Sequence, residues 1–225
     1  MLLYPFIVRF RSLLGAMAAD RYFYVAREGW PFVLAAGLAA FLVQYYAGPR
    51  WAVPLWVAAV FLAYLFREPE RFVPGGALAV LSPADGVVTA VAQTRDPYLD
   101  RDATLIKVGM NRLGAYAMRS PVEGTVMQHW GEPVTGKSSP ADGHGIWLRT
   151  DEGDNVVLAL DSGRRLLRAR CAAQLGERIG QGHRCGFVPF GSRVAVFLPV
   201  NTRMDVMPGQ RVKAGVDTLA RLVHK

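Results

Sequence analysis

Two consecutive apolar runs constrain this chain more than any other feature. Trp30–Ala47 carries no charged residue, Gly48-Pro49-Arg50 interrupts it, and Trp51–Phe66 is again free of charge. A Gly-Pro break marks a turn, so the two runs read as a helical hairpin. Each run is close to the roughly 17 residues that a bilayer-crossing helix needs at minimum. Trp30, Tyr45, Tyr46, Trp51 and Phe66 stand at the run ends, where aromatic belts mark a membrane interface. Pro54 lies near the start of the second helix, where proline is tolerated. Arg9, Arg11, Arg21 and Arg27 precede the hairpin, Arg67 and Arg71 follow it, and only Arg50 lies between. By the positive-inside rule this charge placement predicts that both ends face the cytoplasm. The same placement argues against a helical pair buried in a soluble core. A signal peptide fits less well, because the run starts late and no small-x-small site ends it. A re-entrant or interfacial hairpin stays open for two runs this short.

Composition agrees with a membrane setting. The 225 residues are 52% hydrophobic and carry a formal net charge of +8, with mean hydropathy +0.18 and pI near 9.9. A basic balance suits nucleic acid or an anionic membrane surface, and the apolar content favours the membrane. The length supports one sizeable core plus an added segment. Cys171 and Cys185 have neither metal-site nor disulfide-framework spacing and read as small buried hydrophobes in a reducing compartment.

After Phe66 the pattern changes to short alternating runs separated by Gly, Pro and Asp: 86–92, 104–108, 124–128, 146–149, 155–160, 193–198 and 212–214. Turn signals about every ten residues predict a sandwich or barrel. The expected fold is therefore mainly β: a β-sandwich or barrel-like domain over 67–225, preceded by a basic segment (1–29) and the helical membrane hairpin (30–66). Two internal echoes occur. Ser82-Pro83-Ala84-Asp85-Gly86 resembles Ser120-Pro121-Val122-Glu123-Gly124, and the stretch 176–182 resembles 208–215. Both place a tight turn ahead of a strand, as pseudo-symmetric hairpins do.

Phe190-Gly191-Ser192-Arg193 opens the alternating stretch 193–198. Glycine tolerates the strained backbone that a reacting peptide bond needs. A serine after it can turn its hydroxyl back on the preceding carbonyl, which allows the chain to cut itself between Gly191 and Ser192. The alternative is an ordinary Gly-Ser turn.

Taken in order, several segments resemble the short bacterial phosphatidylserine decarboxylase proenzymes. They are Arg27-Glu28-Gly29-Trp30-Pro31-Phe32, Phe66-Arg67-Glu68-Pro69-Glu70-Arg71, Leu81-Ser82-Pro83-Ala84-Asp85-Gly86, Arg119-Ser120-Pro121-Val122-Glu123-Gly124 and the stretch from Gly182 to Val194. The resemblance implies self-cleavage between Gly191 and Ser192, giving a large β chain and a small α chain. Ser192 would become an N-terminal pyruvoyl group, a covalent cofactor that acts as an electron sink and needs no metal. The implied activity is conversion of phosphatidylserine to phosphatidylethanolamine. Asp85 matches the family acid that supports maturation.

The chain departs from the family pattern at three places. Tyr116 stands where the family has a histidine, and a phenol is a poor base but a usable donor. The Asn-Glu-Arg-Asn stretch is absent, the region reading Lys137-Ser138-Ser139-Pro140-Ala141-Asp142-Gly143-His144. An Ala-Gly-x-x-Ala-Arg-Arg segment is blurred into Asp161-Ser162-Gly163-Arg164-Arg165-Leu166. His144 is a candidate replacement imidazole, against a surface-loop histidine, and His183 reads as an exposed turn residue. Arg119 and Arg193 are candidate anion contacts, against strand-edge charges. Arg164, Arg165, Arg168 and Arg170 suit either an anionic membrane or a solvated strand edge.

These features predict a pyruvoyl-dependent decarboxylase at the bacterial inner membrane with its catalytic domain on the cytoplasmic side. Its partners would be phosphatidylserine, anionic membrane lipid and its own α and β chains, with homo-oligomerisation left open. The alternative is a catalytically inactive paralogue that binds lipid or acts as a scaffold. A self-processing enzyme for another amine-bearing carboxylate is a third reading. Single-stranded nucleic acid is disfavoured, because no aromatic stacking strand is evident.

Overall fold

The structure, a computed structural model, describes residues 24–26, 29–68, 71–76, 78–111, 115–130, 144–161, 170–171, 173–188 and 193–223. The chain divides into two compact units, 1–71 and 72–225.

In the first unit, helix α1 (Trp30–Ala47) and helix α2 (Pro49–Leu65) form an antiparallel pair turned at Gly48, whose φ is +90°. Strand β1 (Tyr24–Val25) pairs with β2 (Arg67–Glu68) across its base. The packing inverts that of a soluble helix pair. Ala40, Ala52 and Ala59 are buried, while Trp30, Leu38, Phe41, Trp51, Val60 and Phe61 are exposed. Small residues let the backbones approach, and large apolar side chains point outward, as in helices packed within lipid. Gln44, the one amide of the first run, accepts a hydrogen bond from Trp56 Nε1 at 3.0 Å, so its oxygen is paired across the helices. Phe32 stacks on Phe66 at 5.6 Å near the base. Helix α1 is long and apolar enough to cross a membrane by length and composition; α2, at 17 residues, is one residue shorter.

The second unit is all β among the described residues. Its strands are β3 (Ala79–Leu81), β4 (Gly86–Asp96), β5 (Arg101–Met110), β6 (Ala117–Arg119), β7 (Gly124–Trp130), β8 (His144–Arg149), β9 (Asn155–Asp161), β10 (Arg170–Cys171), β11 (Arg178–Ile179), β12 (Arg184–Phe187), β13 (Arg193–Pro199), β14 (Arg203–Met204), β15 (Arg211–Val212) and β16 (Thr218–Arg221). An eight-stranded sheet has the order β11-β7-β8-β9-β13-β5-β4-β15, and two small sheets have the orders β10-β12-β6 and β14-β16-β3. Period-two alternation sends Val88, Val108, Val194 and Leu160 into the main core, with Ile106, Val126 and Leu148. On the other face, Trp130, Phe197 and Val157 form a second cluster, where Tyr98 from the β4–β5 turn packs 5.1 Å from Trp130. This is the mainly β, sandwich or barrel-like architecture that the alternating runs predict.

The two internal echoes are one pseudo-twofold axis. The eight-stranded sheet reads the same from both ends if β11 matches β15, β7 matches β4, β8 matches β5 and β9 matches β13. The small sheets exchange in the same way. The hydrogen bonds follow. Leu81 N–H donates to Pro121 O and Arg119 N–H donates to Pro83 O; Gly209 N–H donates to Val88 O and Gly176 N–H donates to Val126 O. A bulge falls between Val88 and Ala90 in β4 and between Val126 and Gln128 in β7. Ser82 Oγ donates to Ala84 O at 2.8 Å, and Ser120 Oγ donates to Val122 O at 2.7 Å. Asp85-Gly86, a hairpin signal in the sequence, closes no hairpin: β3 before it pairs with β16. The Ser-hydroxyl turn instead carries the chain from one sheet to another.

Both turns need glycine for contact rather than for φ. A Cβ on Gly86 would lie 2.0 Å from Gly109 O, and one on Gly124 would lie 2.4 Å from Arg149 O. Backbone on both sides leaves no flexible atom to give way. Gly86→Ala and Gly124→Ala should each destabilise the β domain by about 3 kcal/mol, the upper range for overpacking. Gly75→Ala, facing open space, should fall within about 0.5 kcal/mol of the parent. Thermal or denaturant unfolding of the three variants checks this.

Candidate active site

The Ser82–Gly86 turn delivers Asp85 to one end of the eight-stranded sheet. Buried Ser82 holds the turn through its hydroxyl, and its backbone is fixed by Ser82 N–H to Asp217 O and Gly215 N–H to Ser82 O, both 2.8 Å. The Asp85 carboxylate accepts Ala214 N–H at 2.8 Å, and its carbonyl accepts Asn111 N–H at 3.1 Å. A half-buried carboxylate with a backbone donor has one oxygen oriented before any substrate arrives.

The register gathers further candidates at this end. Arg193 lies opposite Gly109 in β5, and Gly109 lies opposite Val87 in β4, two residues beyond Asp85. On its other side Arg193 pairs with Asp161 of β9. His144 pairs with Leu160, whose opposite neighbour is Val194. His144 therefore shares the core-facing row of Val108, Val194 and Leu160, two strands and about 10 Å from β13. It is half-buried and opens strand β8, so the surface-loop alternative does not describe it.

Arg119 joins the group from the β10-β12-β6 sheet. Its Nη1 donates to Gly182 O at 2.9 Å. A Cβ on Gly215 would sit 2.6 Å from Arg119 Cδ, so the guanidinium arm packs directly on the residue after Ala214. Gly182 and Gly215 both have φ near +70°, where glycine is the unstrained choice. Sequence reasoning treated these turns as structural. Ala214 and Gly215 are the supports of Asp85 and Arg119 that it missed, and the repeated glycine was the available signal.

Tyr116 behaves differently. It is buried and edge-on to Phe187 at 5.9 Å, and its carbonyl accepts Val188 N–H at 2.9 Å. Burial raises the phenol pKa above its ordinary value. At neutral pH Tyr116 is a donor and not a base. His183 is exposed in its turn, and Cys185 is buried. Gly191 and Ser192, the arginines 164, 165 and 168 and the loop 137–143 lie outside the described residues.

The comparisons with known proteins bear on this arrangement. The phosphatidylserine decarboxylase family model matches residues 58–220. A phosphatidylserine decarboxylase proenzyme of Nitrosomonas europaea is 41% identical over 203 residues, covering 87% of this chain and 94% of that protein. Proteins of the same name from Aromatoleum aromaticum and Ralstonia nicotianae are 40% and 41% identical, each covering 88% of this chain and 95% of their own length. Among solved structures, the glucose permease IIA from Mycoplasma capricolum aligns with TM-score 0.42 at 16% identity, over 67% of this chain and 98% of that one. The ordered match over most of both sequences makes the chain a member of the phosphatidylserine decarboxylase family.

Proposed function

We propose that this chain is a self-processing phosphatidylserine decarboxylase that cuts itself between Gly191 and Ser192. The observation that carries the reading is the register of Arg193. The residue following Ser192 is hydrogen-bonded into the sheet end where Asp85 presents its carboxylate.

In this reading Ser192 Oγ attacks the Gly191 carbonyl, and the acyl group moves from nitrogen to oxygen as an ester. Removal of the Ser192 Cα proton then expels the Gly191 carboxylate and leaves a dehydroalanine. Water converts that residue to a pyruvoyl group, releasing ammonia. Asp85 is positioned to take and return a proton, because Ala214 N–H orients its carboxylate at the sheet end that Arg193 enters. The pyruvoyl group supplies the electron sink for loss of CO2. Arg119 and Arg193 supply positive charge for the phosphate and carboxylate of the substrate headgroup. Tyr116 keeps its proton and serves as a hydrogen-bond donor, and His144 supplies an imidazole at this end. The apolar hairpin holds the enzyme in the bacterial inner membrane, with both ends cytoplasmic, and residues 67–225 form the catalytic domain.

Intact-mass analysis of the purified protein tests the first step. Two chains are expected, the smaller covering 192–225 and beginning with a ketone, and Ser192→Ala should leave one uncut chain. A single uncut parent chain would instead support the non-catalytic, lipid-binding paralogue. Asp85→Asn should slow self-cleavage at least about 100-fold, the lower end for loss of a positioned acid–base group. Tyr116→His should leave cleavage complete, so any change in turnover would isolate the decarboxylation step.

The two fragments should not separate. Strand β13 pairs along both edges, with β5 over seven residues and with β9 over five. Co-elution of both chains in native size-exclusion chromatography, and their separation only on denaturation, is the expected result.

A further inference from the structure

The pseudo-twofold axis provides an internal control for surface charge. Arg178 and Arg211 are equivalent: Arg178 lies opposite Thr125 in β7, and Arg211 lies opposite Val87 in β4. Arg178 is neutralised, its Nη2 donating to Glu123 at 2.8 Å and to Asp151. At the Asp85 end both acids have changed. Glu123 corresponds to Asp85, whose carboxylate accepts Ala214 N–H, and Asp151 corresponds to Asn111, which has no charge. Arg211 is exposed and makes no ion pair among the described residues. Lys213, two residues on, is also exposed, its ammonium in no ion pair among the described residues, while its backbone N–H bonds Asp217 Oδ2.

The two cations stand beside Asp85: Arg211 lies opposite Val87, two residues beyond Asp85, and Lys213 directly precedes Ala214, whose N–H bonds the Asp85 carboxylate. The β8–β9 turn, at the other end of the strands, carries Asp151, Glu152 and Asp154.

We propose that the Asp85 end of the β domain is its membrane-docking face, with Arg211 and Lys213 holding it against anionic phospholipid. The inference rests on the lipid-substrate reading and adds the orientation of the domain. Charge complementarity selects a bilayer: a cation near an anionic leaflet strengthens binding about fivefold. Such docking delivers the headgroup to Arg119 and Asp85 without carrying it through water.

The test uses the full chain, hairpin included, in nanodiscs of phosphatidylcholine alone or with 30% phosphatidylglycerol. Acylation of Lys213, read by peptide mass spectrometry, should fall several-fold in the anionic discs, while carbodiimide labelling of Glu152 stays equal in both. Equal Lys213 labelling in both discs overturns the proposal. In mixed micelles, Arg211→Gln/Lys213→Gln should raise KM for phosphatidylserine on the order of tenfold at low salt, with kcat within about twofold, and 0.5 M NaCl should abolish the difference. An unchanged KM, or an equal loss of kcat, overturns it. Completed self-cleavage confirms that the variant is folded. If the parent protein shows no turnover, the enzymatic reading fails, and the lysine labelling still decides the docking face.

Discussion

Strand β13 is the element on which the rest of the catalytic domain depends. It is hydrogen-bonded on both edges at the centre of the eight-stranded sheet, and Val194, Val196 and Leu198 are fully buried in the core. A cut just before such a strand removes a covalent bond without removing the ladder or the packing. The proposed maturation is thus compatible with a stable fold only because the new terminus begins at a central strand. The same placement puts Arg193 in one register row with Gly109 and Val87, two residues beyond Asp85.

The pseudo-twofold axis explains how one domain obtains a single reactive end. At one end, β8 and β9 are joined by a tight turn in which Gly153 N–H and Asp154 N–H both bond Thr150, and the nearby carboxylates hold Arg178. At the other end, the equivalent strands β5 and β13 are not consecutive. The chain leaves β5 toward β6 and arrives at β13 from β12, so no tight turn joins this pair. Broken connectivity, Asn111 in place of Asp151 and Asp85 bonded to Ala214 N–H distinguish this end from its counterpart. Symmetry supplies the scaffold, and the proposed site lies where it is broken.

Much of this was legible in the residues. The switch from charge-free runs to short alternating ones divides hairpin from β domain, because helix and strand periodicities differ. The Ser-Pro-x-acid-Gly echo marks two equivalent turns. Other features were not legible. Asp85-Gly86 carries the composition of a hairpin turn, and only long-range pairing decides that β3 joins β16. His144 follows a Gly-rich stretch and reads as loop, yet it opens a strand whose row is buried in the core. Tyr116, in the place of the family histidine, reads from its chemistry as a poor base and a usable donor; only the fold shows that it is buried against Phe187, which raises its pKa further.

By itself, the sequence determined the fold class, the apolar hairpin and the family, since each is written in local pattern or in ordered motifs. Tertiary structure decided which residues stand together. Asp85 and Ala214 lie 129 positions apart, and Arg119 and Gly182 lie 63 apart. No local spacing encodes such contacts. They arise because antiparallel registers and two glycine turns with positive φ bring separate strand ends to one edge of a sheet, where a carboxylate and a guanidinium find backbone partners.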